Sequence, residues 1–109
     1  MTAYAIAILQ DVDMGAEIVQ YIERIDATLA PFGGRFAVHG AEPVELEGSW
    51  DGTLIVIAFP DAERARGWYD SPAYREILPL RTRNSKGTVI LIDGVGPEHR
   101  ATDVLGVAT

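Results

Sequence analysis

The chain has 109 residues, no cysteine, and 9 basic against 16 acidic side chains, a formal charge of -7 with histidine neutral; 48% of it is hydrophobic and 23% charged. That length fits one domain and excludes two, the apolar share excludes a disordered chain, and the missing cysteine excludes a disulfide scaffold, a thiol enzyme and a cysteine zinc site. The acidic balance argues against a nucleic-acid partner, no stretch is long and apolar enough to cross a membrane, and Met1-Thr2-Ala3-Tyr4 lacks the basic start of a signal peptide, so a cytoplasmic location is expected.

From Ala3 to Leu9 small and large residues alternate, Tyr4, Ile6 and Ile8 on one face and Ala3, Ala5 and Ala7 on the other, which predicts a strand apolar on both sides. Asp13 is then expected to cap a helix in which Ile18, Ile22, Ile25 and Leu29 recur at helical spacing. Pro31-Phe32-Gly33-Gly34 ends it. A second strand is predicted from Arg35 to about Leu46, with Phe36 and Val38 on one face and Val44 and Leu46 beyond. Pro43 and the alternating Glu42, Glu45 and Glu47 mark it as an edge. Residues 48–52 read as a connection, and Thr53 to Phe59, almost continuously apolar, as a central strand.

Pro60-Asp61 opens a second helix in which Ala62, Ala65 and Tyr69 share a face with Trp68 beside them. Ser71-Pro72 reads as a new N-cap with proline at the first helical position. A short helix from Ala73 to Leu78 is expected next, then Pro79, a polar turn through Arg81, Arg83, Asn84 and Lys86, and a last strand, Thr88 to Asp93. Residues 1–94 make the single domain, and the breakers and small residues after Gly94 predict a C-terminal tail or arm over 95–109.

The order βαββαβ implies an α+β fold, a ferredoxin-like sandwich on a four-stranded, mainly antiparallel sheet. Two helices cover only one face of such a sheet, yet the first, third and fourth strands are apolar on both. Burying one such side chain contributes about 1.5–3 kcal/mol, and several together rival a domain's net stability of about 5–15 kcal/mol. A homodimer closed sheet to sheet is therefore expected. The other available cover, the C-terminal tail, is short and weakly apolar.

Several short runs carry a resemblance: Ala3-Tyr4-Ala5-Ile6, Phe32-Gly33-Gly34-Arg35-Phe36, His39-Gly40, Glu47-Gly48-Ser49-Trp50, Ile57-Ala58-Phe59-Pro60, Trp68-Tyr69-Asp70-Ser71-Pro72-Ala73-Tyr74 and Leu78-Pro79-Leu80-Arg81. Over roughly residues 3 to 94 the chain resembles domain of unknown function family 1330. The resemblance implies a dimeric α/β barrel and supplies no function. More distant members of that fold superfamily include cofactor-free monooxygenases, muconolactone isomerases and haem-binding enzymes, an analogy of fold alone.

No glycine-rich phosphate loop, His-Glu-x-x-His or calcium loop is present, so nucleotide and metal chemistry lack their usual signatures, and the predicted helices hold no histidine to serve as a haem ligand. No cofactor is expected. His39, the one histidine in the domain proper, is a candidate general acid or base, its ordinary pKa lying near 6.5; the alternative is a surface or hydrogen-bonded structural histidine. In phase with Arg35 and Ala37, it is expected to face away from Phe36 and Val38. Trp50 either walls a pocket or seals its loop. Tyr69 and Tyr74, flanking Asp70-Ser71-Pro72, are candidate ligand contacts near a helix N-terminus or core aromatics. Ser71 is an N-cap or a ligand contact; no nucleophile elbow surrounds it. Arg81, expected on one face of an extended segment with Arg83, either grips a carboxylate or pairs with a surface acid. These residues suggest a cleft between sheet and helices for a small carbonyl- or carboxylate-bearing molecule. One reading is a cofactor-independent enzyme of proton transfer or oxygenation, with His39 and Arg81 catalytic and Trp50, Tyr69, Ser71 and Tyr74 binding the ligand. The other is a non-catalytic ligand-binding or interaction dimer.

Overall fold

A computed structural model describes residues 1–106. The chain runs β1 (Ala3–Gln10), α1 (Ala16–Leu29), a 3-10 turn (Ala30–Phe32), β2 (Arg35–Val38), β3 (Thr53–Phe59), α2 (Ala62–Asp70), α3 (Pro72–Thr82), β4 (Lys86–Asp93) and a single helical turn, α4 (Asp103–Gly106). The strands lie in the order β2-β3-β1-β4, every neighbouring pair antiparallel, which is the split βαβ arrangement expected from the element order. The two most apolar strands, β1 and β3, take the centre, where both of their edges are paired.

One face of the sheet carries the core. Ala3, Ala5, Ile57 and Phe59 from the strands meet Ile25 and Leu29 of α1, Ala65 and Trp68 of α2, and Tyr74 and Ile77 of α3. The alanines of β1 stand opposite the large rings of Trp68 and Tyr74, small partners against large ones. Between α1 and β2 the chain turns tightly: Gly33 takes φ +68°, and a Cβ on Gly34 would stand 2.7 Å from the Phe59 ring.

The boundaries depart from expectation at five places. Asp13 does not cap α1; its backbone N–H donates to the Asn84 carbonyl at 2.8 Å, and the helix starts after Gly15 instead. Ile22 on α1 is exposed rather than buried with Ile18, Ile25 and Leu29. The second strand stops at Val38, leaving Val44 and Leu46 in a loop, 83% and 90% exposed, because no further strand lies beside them to accept a ladder. Helix α3 does not stop before Pro79; it carries that proline inside it and continues to Thr82. β4 begins two residues early, at Lys86. The expected arm over 95–109 is described as far as Gly106, and its last three residues lie outside the described part.

Among the described residues, no helix lies on the second face of the sheet. Its side chains form an apolar rung that spans all four strands, Val38 beside Val56, Val56 beside Ile6 and Ile6 beside Ile90. Tyr4 and Ile92 make the next pair on that face. Ile90 and Ile92 are 45% and 50% exposed. Among the described residues, no helix is long and apolar enough to cross a membrane.

Helices α1 and α3 are also tied at the surface, where Glu17 accepts hydrogen bonds from Arg83 and Asn84. Arg83 first, then Asn84, holds the Glu17 carboxyl below its ordinary 4.5. A carboxylate whose folded pKa is depressed stabilises the fold above the unfolded value, and that contribution is lost as pH falls through the folded one. Glu17→Gln is therefore expected to lower stability at pH 7, and the gap from the parent to narrow as the pH falls below the ordinary carboxylate range, as read by urea unfolding at neutral and at acid pH. A gap that persists in acid would show that the ion pair is not its source.

Candidate functional site

A cavity of about 290 Å³ opens between the sheet and helices α1 and α3. Beside it lies a second, narrow cavity of about 40 Å³. Leu9, Tyr21, Ile55 and Arg81 form the wall common to the two. The larger is otherwise lined by Val12, Met14, Ile18 and Ile22, with His39 and Gly40 at the end of β2. Tyr74 and Trp68 line the narrow one.

Arg81 reaches this place because α3 runs through Pro79. On a helix, residues spaced by three, four and seven share a face, so Tyr74, Ile77 and Arg81 all point inward, and all three are buried. The helix end is secured by side chains: Asn84 Nδ2 donates to the Leu80 carbonyl and Ser85 Oγ to the Arg81 carbonyl, each at 2.8 Å. Arg81 is thus helical and 9% exposed, whereas Arg83 is exposed on Glu17; the expected extended segment presenting the two arginines together is not formed. Burial alone would weaken the protonation of the Arg81 guanidinium, but the neighbouring Tyr74 and Tyr21 hydroxyls outweigh that loss and hold its pKa above the ordinary value. It stays charged.

Tyr21, not singled out from the sequence, occupies the same wall. It lies three residues after Ile18 and four before Ile25, the spacing that turns it inward on α1. Its hydroxyl sits 2.8 Å from that of Tyr74. Burial first, and Tyr74 next, pushes the Tyr21 hydroxyl above its ordinary pKa, so it keeps its proton. A charged guanidinium and a protonated phenol therefore face one cavity, a donor arrangement suited to an oxygen that carries negative charge.

His39 lies on the helix side of the sheet, opposite to the face expected for it. Between Phe36 and Val38 the β2–β3 register shifts: Phe36 pairs with Ile57, but Val38 pairs with Val56. The extra residue, Ala37, advances the chain by one position and exchanges the faces. Val38 consequently joins the bare face, and His39 returns to the side of Phe36, on which its ring stacks at 4.4 Å.

The remaining candidates stand elsewhere. Trp50 is 39% exposed in the 39–52 loop, its indole N–H donating to the Gly52 carbonyl at 3.0 Å. Tyr69 lies under the Arg75 guanidinium, 4.7 Å from the ring centre, beside a surface groove with Arg66 and Val89. Ser71 caps α3: its hydroxyl donates to the Trp68 carbonyl at 2.7 Å and accepts from the Tyr74 N–H at 3.3 Å. The structure thus puts His39 and Arg81 on one cavity and Arg81 and Tyr74 on the narrow one that shares its wall, and leaves Trp50, Tyr69 and Ser71 outside both. Among the described residues, no group of three or more His, Cys, Asp or Glu side chains is placed to hold a metal ion.

The sequence profile of a domain of unknown function, DUF1330, matches residues 2–95. No curated protein matches the chain. Among solved structures, a dimeric ferredoxin-like protein of unknown function from Jannaschia sp. CCS1 superposes with a TM-score of 0.66 at 13% identity, over 86% of this chain and 100% of that one. A protein of unknown function from Rhodopseudomonas palustris gives 0.64 at 14% identity, over 88% and 84%. SnoaB, a cofactor-independent oxygenase from Streptomyces nogalater, gives 0.54 at 16% identity, over 91% and 96%. Identities this low establish a shared fold, which is ferredoxin-like, and carry no activity with them.

Proposed function

The chain belongs to the DUF1330 family, and we propose that it works as a homodimer, each protomer of which binds a small carbonyl- or carboxylate-bearing molecule in the cavity between sheet and helices. The observation that carries this reading is that His39 and Arg81, two ionisable side chains from distant parts of the sequence, line one mostly apolar cavity. Such a cavity, mostly apolar with a few polar groups aimed inward, is the usual form of a small-molecule site.

Its chemistry is that of a cofactor-independent enzyme. His39 removes or delivers a proton beside a carbonyl, and Arg81 neutralises the enolate oxygen that results, with Tyr74 supporting Arg81 from behind. An enolate held this way is also the electron-rich species that reacts with dioxygen, and a neighbour of the same fold is a cofactor-independent oxygenase. The second reading, a non-catalytic ligand-binding dimer, is favoured by one contact: the stacking of His39 on Phe36 limits how freely the imidazole turns toward a substrate.

A panel of small aromatic and aliphatic acids, aldehydes and ketones, screened by thermal shift and then for turnover, separates the two. The enzyme reading expects turnover that falls about 10²–10⁴-fold in His39→Ala while binding is kept. Binding without turnover selects the second reading. A melting temperature unmoved by every compound overturns both.

A further inference from the structure

We infer that the ligand of this cavity is a monocarboxylate with an apolar body, its carboxylate on the Arg81 guanidinium and the Tyr21 hydroxyl and its hydrocarbon part along Leu9, Val12, Met14, Ile18 and Ile22. This rests on the cavity reading above and narrows it to one class of molecule.

The charge argument comes first. Arg24, Arg64, Arg66, Arg75 and Arg83 are each in an ion pair with an acid on the protein surface. Arg81 is the buried one, and the groups acting on it are the Tyr74 and Tyr21 hydroxyls, with no carboxylate among them. Acids are not scarce, since the chain has 16 of them against 9 bases, so their absence around Arg81 reflects where the fold puts them. A buried cation is stabilised most by an anion that arrives with it in low dielectric. The Tyr21 phenol beside Arg81 supplies no negative charge, because it keeps its proton.

The donor geometry then selects the head group. Two hydroxyls 2.8 Å apart share one proton between them and leave the other free to donate. A planar guanidinium beside that donor matches the two oxygens of a carboxylate. Among the described residues no second arginine or lysine lines the cavity, whose other titratable side chains are His39 and Tyr21. A dicarboxylate would bring its second charge to the apolar rim at Met14 and Ile22, where no cation meets it, in a molecule that is already strongly acidic.

Volume settles where the body lies. The narrow cavity of about 40 Å³ holds little more than a water-sized group, whereas the larger one of about 290 Å³ is mostly apolar and open to solvent past Met14 and Ile22. Both of those side chains are exposed. Apolar residues left at a rim in this way suit an apolar ligand emerging between them.

Calorimetry on the full chain at pH 7 with octanoate, octanamide and octanedioate tests the assignment. Octanoate is expected to bind, with the amide and the diacid weaker by about tenfold or more. Arg81→Gln should bring octanoate down to the level of the amide. If that variant does not fold, Tyr21→Phe keeps the ring and should weaken octanoate several-fold and octanamide less, because only the carboxylate makes a charge-assisted bond to the hydroxyl, while Ile22→Glu at the rim should weaken both, because both lay their chain there. Octanamide binding as tightly as octanoate would overturn the carboxylate assignment and leave the cavity reading intact. Tighter octanedioate would overturn the single charge. If none of the three binds, the inference falls, and the cavity reading falls with it only when the carbonyl panel also fails.

Discussion

Trp68→Ala is expected to lower the unfolding free energy by about 3–5 kcal/mol, close to the loss that unfolds a domain of net stability about 5–15 kcal/mol. Trp68 is almost fully buried where all the layers meet. Its ring lies 4.1 Å from that of Tyr74 on α3 and 5.4 Å from that of Phe59 on β3. Its indole N–H donates at 3.0 Å to Thr28 on α1. Thr28 in turn donates to the Ile25 carbonyl, so the truncation strands no hydroxyl and the cost is chiefly that of the emptied volume. Trp68→Phe, which keeps most of the volume and loses the hydrogen bond, should cost far less, on the order of 1–2 kcal/mol. Urea unfolding followed by circular dichroism reads both. A loss below about 1 kcal/mol for the alanine variant would mean that the three helices do not depend on a common core.

The strands and helices that are strongly patterned were legible from the sequence, and the places where reading failed share a cause. Alternation in Val44 and Leu46 describes a sided segment but does not supply a neighbour to pair with, and β2 ends where its pairing with β3 ends. Pro79 reads as a stop because it removes a donor; the burial of Tyr74, Ile77 and Arg81 on one face outweighs that lost bond and keeps the helix going. The register shift at Ala37 leaves no mark in composition or period, and it alone decides the face of His39. So His39 and Arg81 were nameable as chemistry-bearing types, while their meeting depended on a bulge and on a helix that runs through its proline. Tyr21 was readable in principle, at three and four residues from Ile18 and Ile25, but the period marks an inward side chain without saying what it touches.

Ile90→Glu is expected to convert a dimer into a monomer, with dissociation favoured by about 10³-fold or more. The rung Val38–Val56–Ile6–Ile90 crosses the whole sheet with no helix over it among the described residues, and exposing so wide an apolar face is uncommon in a monomer. The C-terminal segment, as far as it is described, does not cover this face, since Val95, Val104 and Leu105 are themselves exposed. A second copy of the same face meets the need, and a two-fold interface repeats each substitution on both sides. Two carboxylates would then be buried without partners, at several kcal/mol together. In an isolated protomer the same change costs little, because Ile90 is already 45% exposed on an edge strand. Light scattering across micromolar dilution should give twice the chain mass for the parent and the chain mass for a folded Ile90→Glu. A parent that is monomeric throughout, or a variant that stays dimeric, would place the dimer contact away from this face or remove it.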